Sequence, residues 1–307
     1  MKNPIIIILL LSSIYACTNQ TPRSLPNNNS VQENIPSNVY ELIQPDEEPE
    51  GLLILFGGYP EKPSDIKREF PIVELAKENR VALLLMNFNG RLWLEETEKH
   101  YLEKVLKQAI KQNQISTDNI YLGGFSSGGN VSLILTNYLI DTESVLKPKG
   151  VFIVDSPIDL LELYHCSQRN VERNFSIGSV NESKMIIASF DEHFGLQENG
   201  MGQYKRYSPY LYSSGNIKNL KALKDTKIRF YTEPDTLWWK ENRKNEYEDM
   251  NAYYIKKLAL ELESAFKSGK IELIETQNKG IRANGYRHPH SWSIVDKEDL
   301  IDWILKK

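Results

Sequence analysis

Apolar residues fall along this chain in two alternating rhythms. Short unbroken apolar runs occupy residues 52–56 (LLILF), 81–86 (VALLLM), 120–122 and 151–154, and two further strand-length stretches, 228–231 and 271–274, are apolar apart from Arg229 and Glu272. Each has the length of a strand buried on both faces. Between them lie stretches whose apolar residues recur three or four apart, as on one side of a helix. Residues 66–79 carry this pattern with Pro71 interrupting it, and residues 95–112 align Leu102, Val105, Leu106, Ala109 and Ile110. Further helices are predicted over 131–140, 247–266 and 297–305. Strands lacking a polar face, separated by helices, predict an α/β fold with a mostly parallel central sheet and helices on both faces. The rhythm breaks only across about residues 157–223, where helical fragments mix with many Tyr, Ser and Asn. This segment reads as a helical or loop cap inserted over the carboxyl edge of the sheet.

Charge narrows the possible partners. The formal net charge is -4, and Lys and Arg are not clustered. That argues against nucleic acid as a ligand and against a polybasic patch for anionic lipid.

The amino end reads as a targeting signal. Lys2 is followed by an apolar run over residues 5–11, too short to span a bilayer as a helix. The sequence Ile14-Tyr15-Ala16-Cys17 then resembles the bacterial lipobox, in which the cysteine is acylated. Ile and Tyr at its first two positions are less usual than Leu and a small residue. A plain secretory signal ending at Ala16 is the alternative. The resulting division is a lipoprotein signal peptide over 1–16, an acylated Cys17 with a tether over 17–39, and one α/β domain over 40–307 that includes the cap. The tether is rich in Asn, Ser, Pro and Gln and buries too little to offset its ordering entropy. The implied location is the bacterial cell envelope, with the chain lipid-anchored to a membrane and facing the periplasm or cell surface. Cys166 is the one other cysteine, so a lipidated Cys17 leaves no intramolecular disulfide. Cys166, beside His165, reads as a structural thiol.

The densest chemical signal is Gly124-Phe125-Ser126-Ser127-Gly128, a G-x-S-x-G pattern between a predicted strand and a predicted helix. A serine on so sharp a strand-to-helix turn crowds the residues two positions away, which must be glycine or small. Ser126 has glycine at both; Ser127 has Phe125 at one. The bland alternative is a glycine-rich turn that merely opens a helix.

From about residue 51 onward the chain resembles the α/β-hydrolase superfamily, whose triad runs nucleophile, acid, histidine. The resemblance implies Ser126 as nucleophile. It implies an acid just after the strand that follows the cap, hence Asp235, with Glu233 as the alternative and Asp155, after the preceding strand, a more distant one. It implies a histidine in the loop 287–292 (RHPHSW), where His290 is favoured over His288. The oxyanion donors it implies are the Ser127 N–H and one from Gly58 or Tyr59, in Phe56-Gly57-Gly58-Tyr59-Pro60.

Chemistry explains these residue types. A serine hydroxyl becomes a competent nucleophile when an imidazole takes its proton, and a carboxylate fixes the imidazole tautomer. His288 and His290, two apart, could also face a metal, but no carboxylate or cysteine stands nearby at ligand spacing. Asp191, Glu192 and His193 read as a solvated cluster. Tyr59, Trp93, Trp238, Trp239 and Trp292 fall in loops that gather at the strands' carboxyl ends. They could line a cleft for a sugar ring or aromatic acyl group, or simply pack a cap onto the sheet. The expectation is hydrolysis of a small-molecule carboxylic ester through a Ser126 acyl-enzyme, without metal or organic cofactor. An amide substrate and a non-catalytic binding lipoprotein are the rivals.

Overall fold

The computed structural model describes residues 36, 38–88, 90–195 and 197–306. The signal peptide, Cys17 and nearly all of the tether lie outside the described residues.

The six strand-length stretches become strands β2 (Gly51–Phe56), β3 (Val81–Met86), β4 (Ile120–Phe125), β5 (Gly150–Val154), β6 (Lys227–Thr232) and β7 (Ile271–Glu275). They join β1 (Tyr40–Ile43) in one seven-stranded sheet of order β1-β3-β2-β4-β5-β6-β7. All pairings are parallel except β1 with β3. No apolar run announces β1, because it is an edge strand whose four residues are all half-buried. Strand β4 outruns its predicted end at residue 122 by three residues. Its extra Gly123 and Gly124 carry no apolar signal, yet a Cβ on Gly123 would sit 2.1 Å from the Phe152 ring of the neighbouring strand.

Two apolar layers flank the sheet. Leu52, Ile54 and Phe56 point to one face, where α3 (Glu96–Gln112), α4 (Ser127–Asp141) and α9 (Asn251–Phe266) pack. Leu53 and Leu55 point to the other, beneath α1 (Pro63–Glu69), α2 (Val73–Glu78) and α10 (Lys297–Leu305). Pro71 splits α1 from α2 as predicted. The predicted helix over 247–266 starts late, since Met250 is extended between a short 3-10 turn and α9.

The cap between β5 and β6 contains α5 (Leu160–Arg173), α6 (Ile177–Phe194) and α7 (Gln197–Tyr207). It has an aromatic core of its own, with Tyr164, Phe190, Phe194, Tyr204 and Tyr207 gathered around Trp93 from the body of the domain. A further helix, α8 (Thr236–Arg243), follows β6 and is absent from the sequence expectation. Among the described residues no helix is long and apolar enough to cross a membrane.

Candidate active site

The turn from β4 into α4 carries Ser126 at φ 52° and ψ -126°, a conformation that non-glycine residues rarely adopt. Its geometry explains both flanking glycines. A Cβ at Gly124 would lie 2.2 Å from the Gly128 carbonyl oxygen, and one at Gly128 would lie 2.3 Å from that of Phe56. The Ser126 N–H donates to the Val154 carbonyl at 2.9 Å, which ties the turn to the end of β5.

That tie decides which carboxylate can reach the site. Asp155 follows Val154 directly, with φ at 44°, and is 5% exposed. Its Oδ2 lies 2.6 Å from His290 Nδ1, while its Oδ1 accepts from the Thr232 hydroxyl at 2.9 Å. Asn251 Nδ2 donates to its carbonyl at 2.8 Å. The expectation of Asp235 as the carboxylate at His290 is therefore corrected. Asp235 caps α8, accepting from the Trp238 N–H at 3.0 Å, and accepts from Arg287 at 2.7 Å. The reason is topological. Strand β5 is the immediate neighbour of β4, whereas β6 is one strand further away.

Glu233, the alternative, is also committed elsewhere. Its buried Oε2 accepts from Thr276 Oγ1 and from the backbone N–H groups of Lys279 and Gly280, at 2.9, 2.8 and 3.1 Å. Arg287 pairs with its other oxygen and donates to the Gly280 carbonyl at 2.9 Å. The two carboxylates beyond β6 thus pin down the loop that delivers His290. Sequence reasoning missed Arg287 as the link between them.

His290 and His288 separate cleanly. The Phe125 ring, one residue before Ser126, lies 4.5 Å from the His290 ring. With a carboxylate at Nδ1, that nitrogen carries the proton and Nε2 keeps its lone pair free. His288 packs against Trp238 and Trp239, with ring centroids 4.6 and 5.7 Å away, and its Nδ1 accepts from the His290 N–H at 3.2 Å. Burial, chiefly, pushes its pKa down to about 3, so the imidazole is neutral. The Nδ1 of His288 is thus occupied within the loop, and that of His290 by Asp155. Among the described residues no cluster of three His, Cys, Asp or Glu side chains converges as a metal site.

The loop after β2 presses against the serine, and a Cβ on Gly58 would sit 3.0 Å from that of Ser126. Of the expected oxyanion donors, the Gly58 N–H donates to Glu61 Oε2 at 3.0 Å. The Tyr59 N–H donates to Ser127 Oγ at 3.0 Å, right beside the Ser126 turn. The Ser127 N–H opens α4 and has no partner within the helix. Glu61 also accepts from Trp292 Nε1 at 3.0 Å, so one carboxylate joins the loop after β2 to the loop that carries His290. Burial raises the Glu61 pKa above the ordinary carboxylate value.

Ser126, His290, Tyr59 and Ser127 line a single cavity of about 560 Å³ beneath the cap, which contributes Met185 and Ile186 among others. Of the five aromatic residues, Tyr59, Trp93 and Trp239 line it. Trp292 is fully buried, stacked on Phe70 at 4.8 Å, and Trp93 also packs against Phe194 at 4.7 Å. Cys166 reaches the cavity wall, but its thiol donates to the Asp249 carbonyl at 3.3 Å and burial pushes its pKa up to about 12. Such a thiol is unreactive at neutral pH. Asp191 and His193 lie on α6. The former accepts from the Tyr164 hydroxyl at 2.8 Å, and the latter sits 2.8 Å from the Ser189 carbonyl.

Solved structures share this architecture. The chain superposes with a TM-score of 0.55 on the fluorophosphonate-binding serine hydrolase F of Staphylococcus aureus, at 13% identity over 87% of this chain and 92% of that one. It superposes at 0.54 on an esterase of the bacterial hormone-sensitive lipase family, at 12% identity over 87% and 80%. For the S-formylglutathione hydrolase of Staphylococcus aureus the score is 0.53, at 13% identity over 87% and 92%. The fold is that of the α/β-hydrolases. No family model and no curated protein sequence matches the chain. At such identities the likeness shows the fold alone, and the site's own chemistry must carry the function.

Proposed function

We propose that this protein is a serine hydrolase that cleaves carboxylic esters by acyl transfer through Ser126, with His290 as general base and Asp155 as its partner. One observation carries the reading: a carboxylate-paired imidazole and a serine on a strained strand-to-helix turn open into the same cavity. In the first half-reaction His290 Nε2 takes the Ser126 proton as Oγ attacks the ester carbonyl. The N–H groups of Ser127 and Tyr59 then stabilise the oxyanion, Tyr59 releasing the Ser127 hydroxyl to do so. The imidazolium, balanced by Asp155, passes its proton to the departing alkoxide. Water, activated by the same imidazole, releases the acid and restores Ser126.

The sequence Ile14-Tyr15-Ala16-Cys17 supports attachment of the enzyme to a bacterial envelope membrane through an acylated Cys17. Turnover of 4-nitrophenyl acetate or butyrate tests the activity. Ser126→Ala should abolish it while circular dichroism stays unchanged, and undiminished turnover in that variant rejects the assignment.

A further inference from the structure

Four buried or half-buried arginines of this domain are matched with carboxylates. Arg229 pairs with Glu272 and Asp299, at 2.6 and 2.7 Å. Arg169 and Arg173 share Asp249, each at 2.7 Å, and Arg287 holds Asp235 at 2.7 Å. Arg282 breaks this pattern. It lines the cavity that contains Ser126 and His290, and its guanidinium carbon lies 5.4 Å from the centre of the Phe125 ring. Among the described residues its side chain has no hydrogen-bonded or ion-paired partner. Glu61, Glu69, Glu182 and Asp155 act on it through space, without an ion pair. Burial nevertheless strips water from it and weakens its hold on the proton.

A partly desolvated guanidinium without an anion is costly, and it presents a rigid fork of donors to whatever enters the cavity. Arg243 lines the same cavity, and its only polar contact among the described residues is the Ser176 hydroxyl, at 3.1 Å. Both cations add to the effect of burial and of His290 in lowering the pKa of His288, which lines the same cavity. Opposing charge in the cavity is slight. Asp249 is neutralised by its two arginines, Glu182 is exposed on α6, and Arg91 is paired with Glu98 at 2.6 Å.

From this arrangement, and resting on the hydrolase reading above, we infer that the substrate bears a carboxylate, which Arg282 binds in the cavity with Arg243 beside it. The enzyme is then selective for acidic esters over neutral ones of equal length.

Mono-4-nitrophenyl adipate and 4-nitrophenyl hexanoate test this, since they differ in the terminal carboxylate. The wild-type kcat/KM should favour the adipate ester by about tenfold or more, the value of a charge-assisted bidentate contact. Arg282→Gln should bring the ratio towards one, and Arg282→Lys should leave an intermediate ratio. Fluorophosphonate labelling of Ser126 in every variant reports an intact site. If Ser126 is labelled but the adipate ester is turned over no faster, or the ratio survives Arg282→Gln, this inference fails and the hydrolase reading stands. If Ser126 takes no label and neither ester turns over, both fail.

Discussion

The Nδ1 atom of His290 and the Oδ2 atom of Asp155 lie 2.6 Å apart, although 135 residues separate them in the chain. Two parallel strands create the contact. Strand β5 lies beside the nucleophile strand β4, so the first residue beyond its end faces the loop from β7 that carries the imidazole. The Thr232 hydroxyl, from the next strand, holds the second oxygen of Asp155. The carboxylate is therefore fixed in the orientation that selects the Nδ1–H tautomer and frees Nε2.

Asp155→Asn should lower kcat by about a thousandfold or more, because an amide can no longer fix that tautomer. Asp235→Asn should cost less than about tenfold, since it only weakens a helix cap and one arm of Arg287. Steady-state kinetics on the pair checks the assignment, and the reverse ranking would restore Asp235.

Glu61 bridges the Gly58 N–H and the Trp292 indole, so it should act as a positioning residue. Glu61→Gln can keep only part of this bridge. It should lower kcat by about tenfold or more with little change in KM, as expected when oxyanion donors are misaligned. A rise in KM alone would argue that the loop binds substrate rather than its transition state.

His288 gives a stability signature. Its folded pKa, about 3, lies below its ordinary value, so between these limits the unfolded chain binds the proton and the native state does not. The stabilisation is complete above the ordinary value and declines as pH falls towards 3. Between pH 7 and pH 5 the loss should be about 2 kcal/mol. Urea unfolding of wild type and His288→Gln at both values measures it, and the variant should show a correspondingly shallower loss. Equal slopes would place a protonated imidazole in the native state.

Cys17→Ser should move the protein from the membrane fraction to the soluble fraction of a bacterial host, because acylation requires the thiol. Fractionation followed by immunoblotting detects the change. Retention of the variant on the membrane would favour another mode of attachment.

Much of the architecture was legible because strands buried on both faces announce themselves as unbroken apolar runs. Strands β2 to β5 met that condition; β6 and the edge strand β7 showed through despite Arg229 and Glu272, and β1, half-buried at the other edge, did not. The nucleophile turn was legible because its two glycines are demanded by contacts two residues away. The carboxylate that meets His290 was not, because three carboxylates follow strands at the same edge and only strand order distinguishes them. Asp155 directly follows the apolar run 151–154, a signal equal in kind to that of Glu233, and neighbour relations among strands are invisible in sequence. Arg282 and Glu61 were hidden for the same reason, since each matters through contacts distant along the chain.

Reaction with a fluorophosphonate probe, followed by intact-mass and peptide mapping, tests the central claim most directly. The account predicts a single adduct on Ser126, absent from Ser126→Ala and formed far more slowly in His290→Ala. An unmodified wild-type protein, or an adduct that persists in Ser126→Ala, would contradict it.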